Sequence, residues 1–204
     1  LAEFGEAAAP QLDGGRWPLS VIVGAEVEQQ LHALDDWREG YGADRVEIVA
    51  LEHRPSSPAA LAAFVARAPR VETFFELPWD EDLRPWVEAV AAVGARAKIR
   101  CGGVTPDLIP PPHRVAEFLR ACDGAGIGLK FTAGLHHPVR YHDTAIDVMS
   151  HGFLNVFGAG LDARQRFGRR DDAAQHVVQV MAADRDDLGH LRDRRARPEL
   201  QLVA

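Results

Sequence analysis

The sequence predicts an α/β fold with parallel strands, a (β/α) barrel or an incomplete one. Three observations point there. Short apolar runs alternate with Ala-rich segments of helical period along the whole chain. The repeat from strand to strand is about 25 residues, which suits a βα unit and is too long for a hairpin. Polar side chains also gather near the C-terminal ends of several strands, where barrel enzymes assemble their sites. A doubly wound open sheet is the competing architecture. Its dinucleotide-binding form is disfavoured because no G-x-G-x-x-G follows the first strand, where the chain reads "VGAEVEQ".

Six strands are expected: "LSVIVGA" (19–25), "RVEIVAL" (45–51), "VETFFEL" (71–77), "ARAKIRC" (95–101), "IGLKFTA" (127–133) and "GFLNVFG" (152–158). Each is apolar and short, and most end near Gly or Pro. Helical patterns fill 26–39, 58–67, 80–93, 112–123, a shorter stretch at 142–150, and 171–183. Ser57-Pro58, Asp80 and the run Pro110 to Pro112 mark helix starts; Gly40, Gly94 and Gly124 mark ends. A strand–helix–strand order implies right-handed crossovers and a parallel sheet.

A closed barrel needs eight units and six are visible, so the other two are expected ahead of Leu1. The opening "LAEFGEAAAP" fits that expectation, because it has no Met and reads like the middle of a helix. One barrel-like domain over 1–204 is expected, with a charged extension over 184–204.

The bulk numbers exclude several classes. At 204 residues the chain holds one sizeable core. Its 47% hydrophobic and 26% charged content is that of an ordinary globular protein. A net charge of −7 argues against a nucleic-acid partner, which needs a basic surplus. No apolar run approaches the roughly 20 residues that span a bilayer. Cys101 and Cys122 lack the close pairing of a redox or zinc motif. A cytoplasmic location is expected, with no membrane partner, and exposed sheet edges would favour a homodimer.

Candidate functional residues come from breaches of the strand pattern. In a parallel sheet buried on both faces, side chains alternate and most should be apolar. In "ARAKIRC", Lys98 and Arg100 share a face with Arg96, opposite Ala97, Ile99 and Cys101. Lys130 shares a face with Thr132, and Glu76 shares one with Glu72 and Phe74. Glu52 and His53 end the second strand, and Asn155 lies within "GFLNVFG". If these faces meet at the barrel mouth, Glu52, Glu76, Lys98, Arg100, Lys130 and Asn155 gather there. Buried charges must neutralise one another or bind something. Two carboxylates against three cations leave a positive surplus that suits a small anionic metabolite. The bland alternative is an ion-pair network that merely closes the barrel end.

Gly102, Gly103 and Gly134 end two successive strands, where bare backbone lets a ligand approach or the chain turn. Five of the nine histidines lie between 113 and 151, namely His113, His136, His137, His142 and His151. Their spacing does not suit a metal, because adjacent residues of extended chain point apart and there is no H-E-x-x-H. His136 or His137 is expected to reach the pocket as acid, base or donor, while His151 is expected to be structural. No motif calls for a cofactor.

"KIRCGG", "TAGLHHP" and "HGFLN" resemble a set of uncharacterised bacterial proteins carrying the same three motifs. The likeness is firm over residues 95–160 and implies a longer N-terminus. "LKFTAG" and "AKIRCGG" are more loosely similar to class I aldolase-type (β/α) barrels, where lysines at strand ends form a Schiff base. That resemblance implies amine chemistry at Lys130 or Lys98. The expected function is a lyase or isomerase acting on a small anionic carbonyl compound or phosphate ester. Lys130 would be nucleophile or base, Arg100 would clamp the anion, and Glu76 would orient or shuttle a proton. A metal-dependent hydrolase or lyase using Glu52, Glu76 and a histidine is the first alternative. A non-catalytic binding or assembly module is the second.

Overall fold

The computed structural model describes residues 16–39, 46–166 and Met181. Five strands form one sheet: β1 (Trp17–Val23), β2 (Val46–His53), β3 (Glu72–Glu76), β4 (Arg96–Arg100) and β5 (Leu129–Thr132). Helices separate them: α1 (Val27–Trp37), α2 (Ala60–Arg67), α3 (Leu83–Ala92) and α4 (Pro112–Gly124). Asp82 rather than the expected Asp80 starts α3, its carboxylate accepting from the Arg84 amide at 3.0 Å. Ala-rich composition and a Gly stop at Gly94, whose φ is +66°, define that helix.

The strand order is β1-β2-β3-β4-β5. The pairs β1–β2, β2–β3 and β3–β4 are parallel. The β4–β5 pair advances in the same sense, with the Ala97 amide donating to the Gly128 carbonyl and that of Cys101 to Thr132. A doubly wound sheet reverses its strand order at a switch point, whereas this one never does. Right-handed crossovers that always step the same way put the connecting helices on one face. The other face is left to curl, and the sheet forms a half-barrel. An α/β fold built on a curled parallel sheet is therefore what the sequence folds into.

Contacts divide the chain into two compact units, 1–99 with 120–131, and 100–119 with 132–204. The first holds nearly all of the sheet. Its helix-side core is Val23, Leu51, Phe75, Ala97 and Ile99, closed by Leu31, Leu61, Phe64 and Val90 from the helices. Strand β2 does not alternate regularly. Leu19 pairs with Ile48 and the next residue, Ser20, pairs with Ala50, so Val49 is bulged out of the ladder. Before the bulge the even residues Val46 and Ile48 lie level with the helix-side Trp17 and Leu19. After it the odd residues Leu51 and His53 lie level with Val21 and Val23. The bulge thus turns Glu52 onto the concave face.

Two expected elements of the second unit are corrected. "GFLNVFG" is not a strand but the start of helix α5 (Phe153–Arg166). Its buried residues Val156, Ala159 and Ala163 recur at helical spacing. The stretch 142–150 is not a helix but a hairpin of β6 (Tyr141–Asp143) and β7 (Val148–Ser150), paired antiparallel. Asp143 caps its turn by accepting from the Ala145 amide at 3.0 Å, and Asp147 takes φ +51°. The helix expected at 171–183 and the extension at 184–204 lie outside the described residues, Met181 apart. Among the described residues no helix is long and apolar enough to cross a membrane.

Candidate active site

Four of the predicted residues meet in the first unit. Each comes from a different strand and projects onto the concave face. Lys98 on β4 places its Nζ 2.7 Å from Glu52 Oε2 and 2.9 Å from Glu76 Oε2. Lys130 on β5 places its Nζ 2.5 Å from the other oxygen, Glu52 Oε1. Ser20 on β1 donates its hydroxyl to that same Oε1 at 2.9 Å. Glu52 therefore sits at the centre of a chain that runs from β1 to β5.

This geometry requires the curl. In a flat sheet, three strand spacings of about 4.8 Å would hold β2 and β5 roughly 14 Å apart. Lys130 and Glu52 bond because both side chains cross the concave side. Phe74, next to Glu52 in the β2–β3 ladder, supports the ammonium, with Lys130 Nζ 5.1 Å from its ring centre. Arg96 lies 5.9 Å from the same ring and is bound to Glu72 at 2.6 Å.

Burial and pairing act in opposite directions on these groups. Burial alone would push the Glu52 carboxyl up. Hydrogen bonds from Lys130, Lys98 and Ser20, with the Lys98 charge, outweigh it and hold Glu52 down at about 2, against an ordinary 4.5. Burial alone would likewise pull Lys98 down, but its bonds to Glu52 and Glu76 and their charges raise it above its ordinary value. Lys98 is thus a fixed ammonium, with 8% of its side chain exposed, while Lys130 keeps 34% exposed.

The composition carries a signal that strand-by-strand pattern reading overlooks. Of the 23 Lys and Arg residues only two, Lys98 and Lys130, are lysines. Both bind Glu52. A chain that uses arginine everywhere else uses a compact, deprotonable amine only here. Ser20 is a site residue that sequence reasoning missed, because a lone serine in an apolar strand has no distinctive spacing.

The remaining candidates belong to the second unit. Arg100 is exposed, and its Nε donates to the Gly102 carbonyl at 2.7 Å. The surplus cation expected from the sequence is therefore not part of the first unit's network, which balances two carboxylates against two ammonium groups. Gly102 and Gly134 pack backbone to backbone, and a Cβ on Gly102 would come within 2.3 Å of the Gly134 Cα. A Cβ on Gly103 would meet Leu108 at 2.3 Å. The Thr132 carbonyl accepts from the Cys101 amide at 2.7 Å. His136 and His137 are exposed on their loop, the His137 ring lying 3.9 Å from that of Tyr141.

Asn155 is corrected from a strand to α5. It is fully buried and its Oδ1 accepts from the Arg140 amide at 2.8 Å. The HHP loop is pinned to the same helix, with the His137 and Pro138 carbonyls accepting from the Phe153 and Leu154 amides. His151 is buried and bonded through Nε2 to the Pro110 carbonyl at 2.6 Å. Burial lowers its pKa, the bond to Pro110 opposes this, and the Arg140 charge adds to the lowering. Cys101 is a buried core residue whose thiol burial pushes up to about 12.

Among the described residues no group of three His, Cys, Asp or Glu side chains is placed to hold a metal ion. Glu52 and Glu76 converge, but the Lys98 ammonium stands between them. His53 points to the opposite face, stacked on Phe64 at 4.6 Å. Compared with protein families, curated proteins and solved structures, the chain matches none.

Proposed function

We propose that the chain is an enzyme of lyase or isomerase type for a small anionic carbonyl compound, with Lys130 as the carbonyl-reactive amine. The observation that carries this is the convergence of the only two lysines on Glu52, with just one of them open to a substrate. Lys98, bracketed by two carboxylates, stays an ammonium ion. Lys130 shares its single carboxylate with Lys98 and Ser20. When Lys130 gives up its proton, Glu52 still keeps Lys98 and the Ser20 hydroxyl, so no buried carboxylate is stranded. Were Lys98 to do so, Glu76 would lose the partner that balances it.

In the proposed reaction the Lys130 proton leaves to solvent on the exposed side of the amine, and Glu52, held down at about 2, stays an ionised carboxylate paired with Lys98. The freed amine adds to the carbonyl carbon, water leaves, and the protonated imine draws the electron pair of an adjacent C–C or C–H bond. The half-exposed ammonium is also the group an incoming anion meets first. The likeness of "AKIRCGG" and "LKFTAG" to class I aldolase barrels points the same way.

A second reading has its own support. The network is electrically balanced, and its four charged residues line neither of two clefts in the first unit. On that reading the charges fill the inside of the curl and do no chemistry. Borohydride trapping separates the two. The full chain is incubated with small 2-oxo acids and aldehyde phosphates, reduced, digested and mapped by mass spectrometry. An adduct on Lys130, absent from Lys98 and lost in Lys130→Ala, is expected. If no carbonyl compound leaves an adduct on the folded chain, the balanced network is structural.

A further inference from the structure

His53 follows Glu52 directly but faces the helices. It is only 7% exposed, and its Nδ1–H donates to the Val23 carbonyl at 2.9 Å. That bond fixes the tautomer, so Nε2 of the neutral ring carries a lone pair. The ring is held on two sides, stacked on Phe64 and edge-on to Phe75 at 6.3 Å. Nε2 has no hydrogen-bond partner among the described residues. Nε2 is not sealed from solvent, so it is open to a water or a ligand.

His53 is part of the wall of a cleft of ≈470 Å³, a volume within the range of about 300–1,000 Å³ of small-molecule sites. The cleft opens at the C-terminal ends of β1 and β2. Val27 and Glu28 of the first turn of α1 line one side, and Phe64 of α2 lines the other. Neither helix has a side-chain cap at its start. Arg54 and Ser56, both exposed, stand at the rim, and Arg54 has no ion pair among the described residues. Glu28 is engaged by Arg67 at 3.4 Å.

We propose that this cleft is a second ligand site, separate from the lysine cluster, for a small apolar hydroxycarboxylic acid. Arg54 and Ser56 take the carboxylate, Val27 and Phe64 take the apolar body, and His53 Nε2 accepts from the hydroxyl. One cation beside Glu28 fits a monoanion better than a dianion, whose second charge would face that carboxylate. This distinguishes a carboxylate from a phosphate.

The test uses the full chain and mandelate as probe, followed by long-range ¹H–¹⁵N spectra of the histidine rings. Saturable binding that shifts the His53 Nε2 resonance is expected. Phenylacetate, which lacks the hydroxyl, should bind at least about tenfold more weakly, and so should mandelate to Arg54→Gln. Ala63→Trp, which fills the cleft from its exposed rim, should abolish binding. Three results would each overturn the site: no saturable binding, equal binding by both variants, or mandelate binding that leaves His53 unmoved. Tighter binding of inorganic phosphate than of mandelate would overturn its assignment to carboxylates.

Discussion

Lys98 balances two buried carboxylates with one ammonium group, and that asymmetry sets what each lysine is worth. Lys98→Met leaves Glu52 short of one partner and Glu76 without its cation. A loss of about 3–5 kcal/mol in urea unfolding is expected, as for breaking a buried pair from one side. Lys130→Met should cost nearer 1 kcal/mol, because its half-exposed side chain is screened by solvent. Equal costs would mean that the two amines do the same job. Glu52 makes the cluster pH-sensitive. Its carboxyl is held down at about 2 in the folded chain against 4.5, so its contribution is complete above the ordinary value and is lost as pH falls from 4.5 towards 2. The expected loss is of the order of 3 kcal/mol. Thermal unfolding midpoints across that window should show the step in the natural chain and a much flatter profile in Glu52→Gln.

At the scale of elements, the bulge at Val49 decides which way β2 presents its last two residues. Deleting Val49 removes the extra residue and leaves Ala50 directly after Ile48, so plain alternation keeps Glu52 opposite Ile22 on the concave face and His53 towards the helices. A shortened chain that folds should therefore keep the low-pH step assigned to Glu52. If the step is lost, Val49 is not the residue that stands outside the ladder. The turns after β4 and β5 depend on backbone contact instead. Gly134→Ala combines φ +71° with a Cβ only 2.7 Å from the Gly102 Cα, so a cost above about 1 kcal/mol in chemical denaturation is expected. The first five strands and the four helices between them were legible because their pattern is local, apolar runs bounded by Gly and Pro. "GFLNVFG" was not legible, since seven mostly apolar residues between glycines suit a buried strand and a helix start equally. The hairpin at 141–150 was missed because its turn depends on the Asp143 carboxylate and a positive φ at Asp147, rather than on an Asn-Gly or Asp-Gly pair.

For the chain as a whole, scarcity makes the lysines readable by experiment. An amine-acylating reagent should tag Lys130 well ahead of Lys98 in the folded protein and tag both at similar rates in denaturant. Peptide mass spectrometry measures both. Equal tagging in the folded state would show that Lys98 is not shielded and would undo the distinction between them. The acidic balance, −7 overall, is a sum over the whole chain and says nothing about this site.

The sequence by itself determined the class of fold and the faces of its central strands. βα spacing and period-2 alternation are properties of neighbouring residues, so Lys98 opposite Ala97 and Ile99 could be read directly. Only the tertiary structure decided that the charges meet. Lys130 and Glu52 are 78 positions apart. Their bond needs a sheet wound in one direction, curled on itself, and bulged at Val49 so that the carboxylate faces inward. Curl and bulge arise from how strands pair across the sheet, and no single strand encodes them.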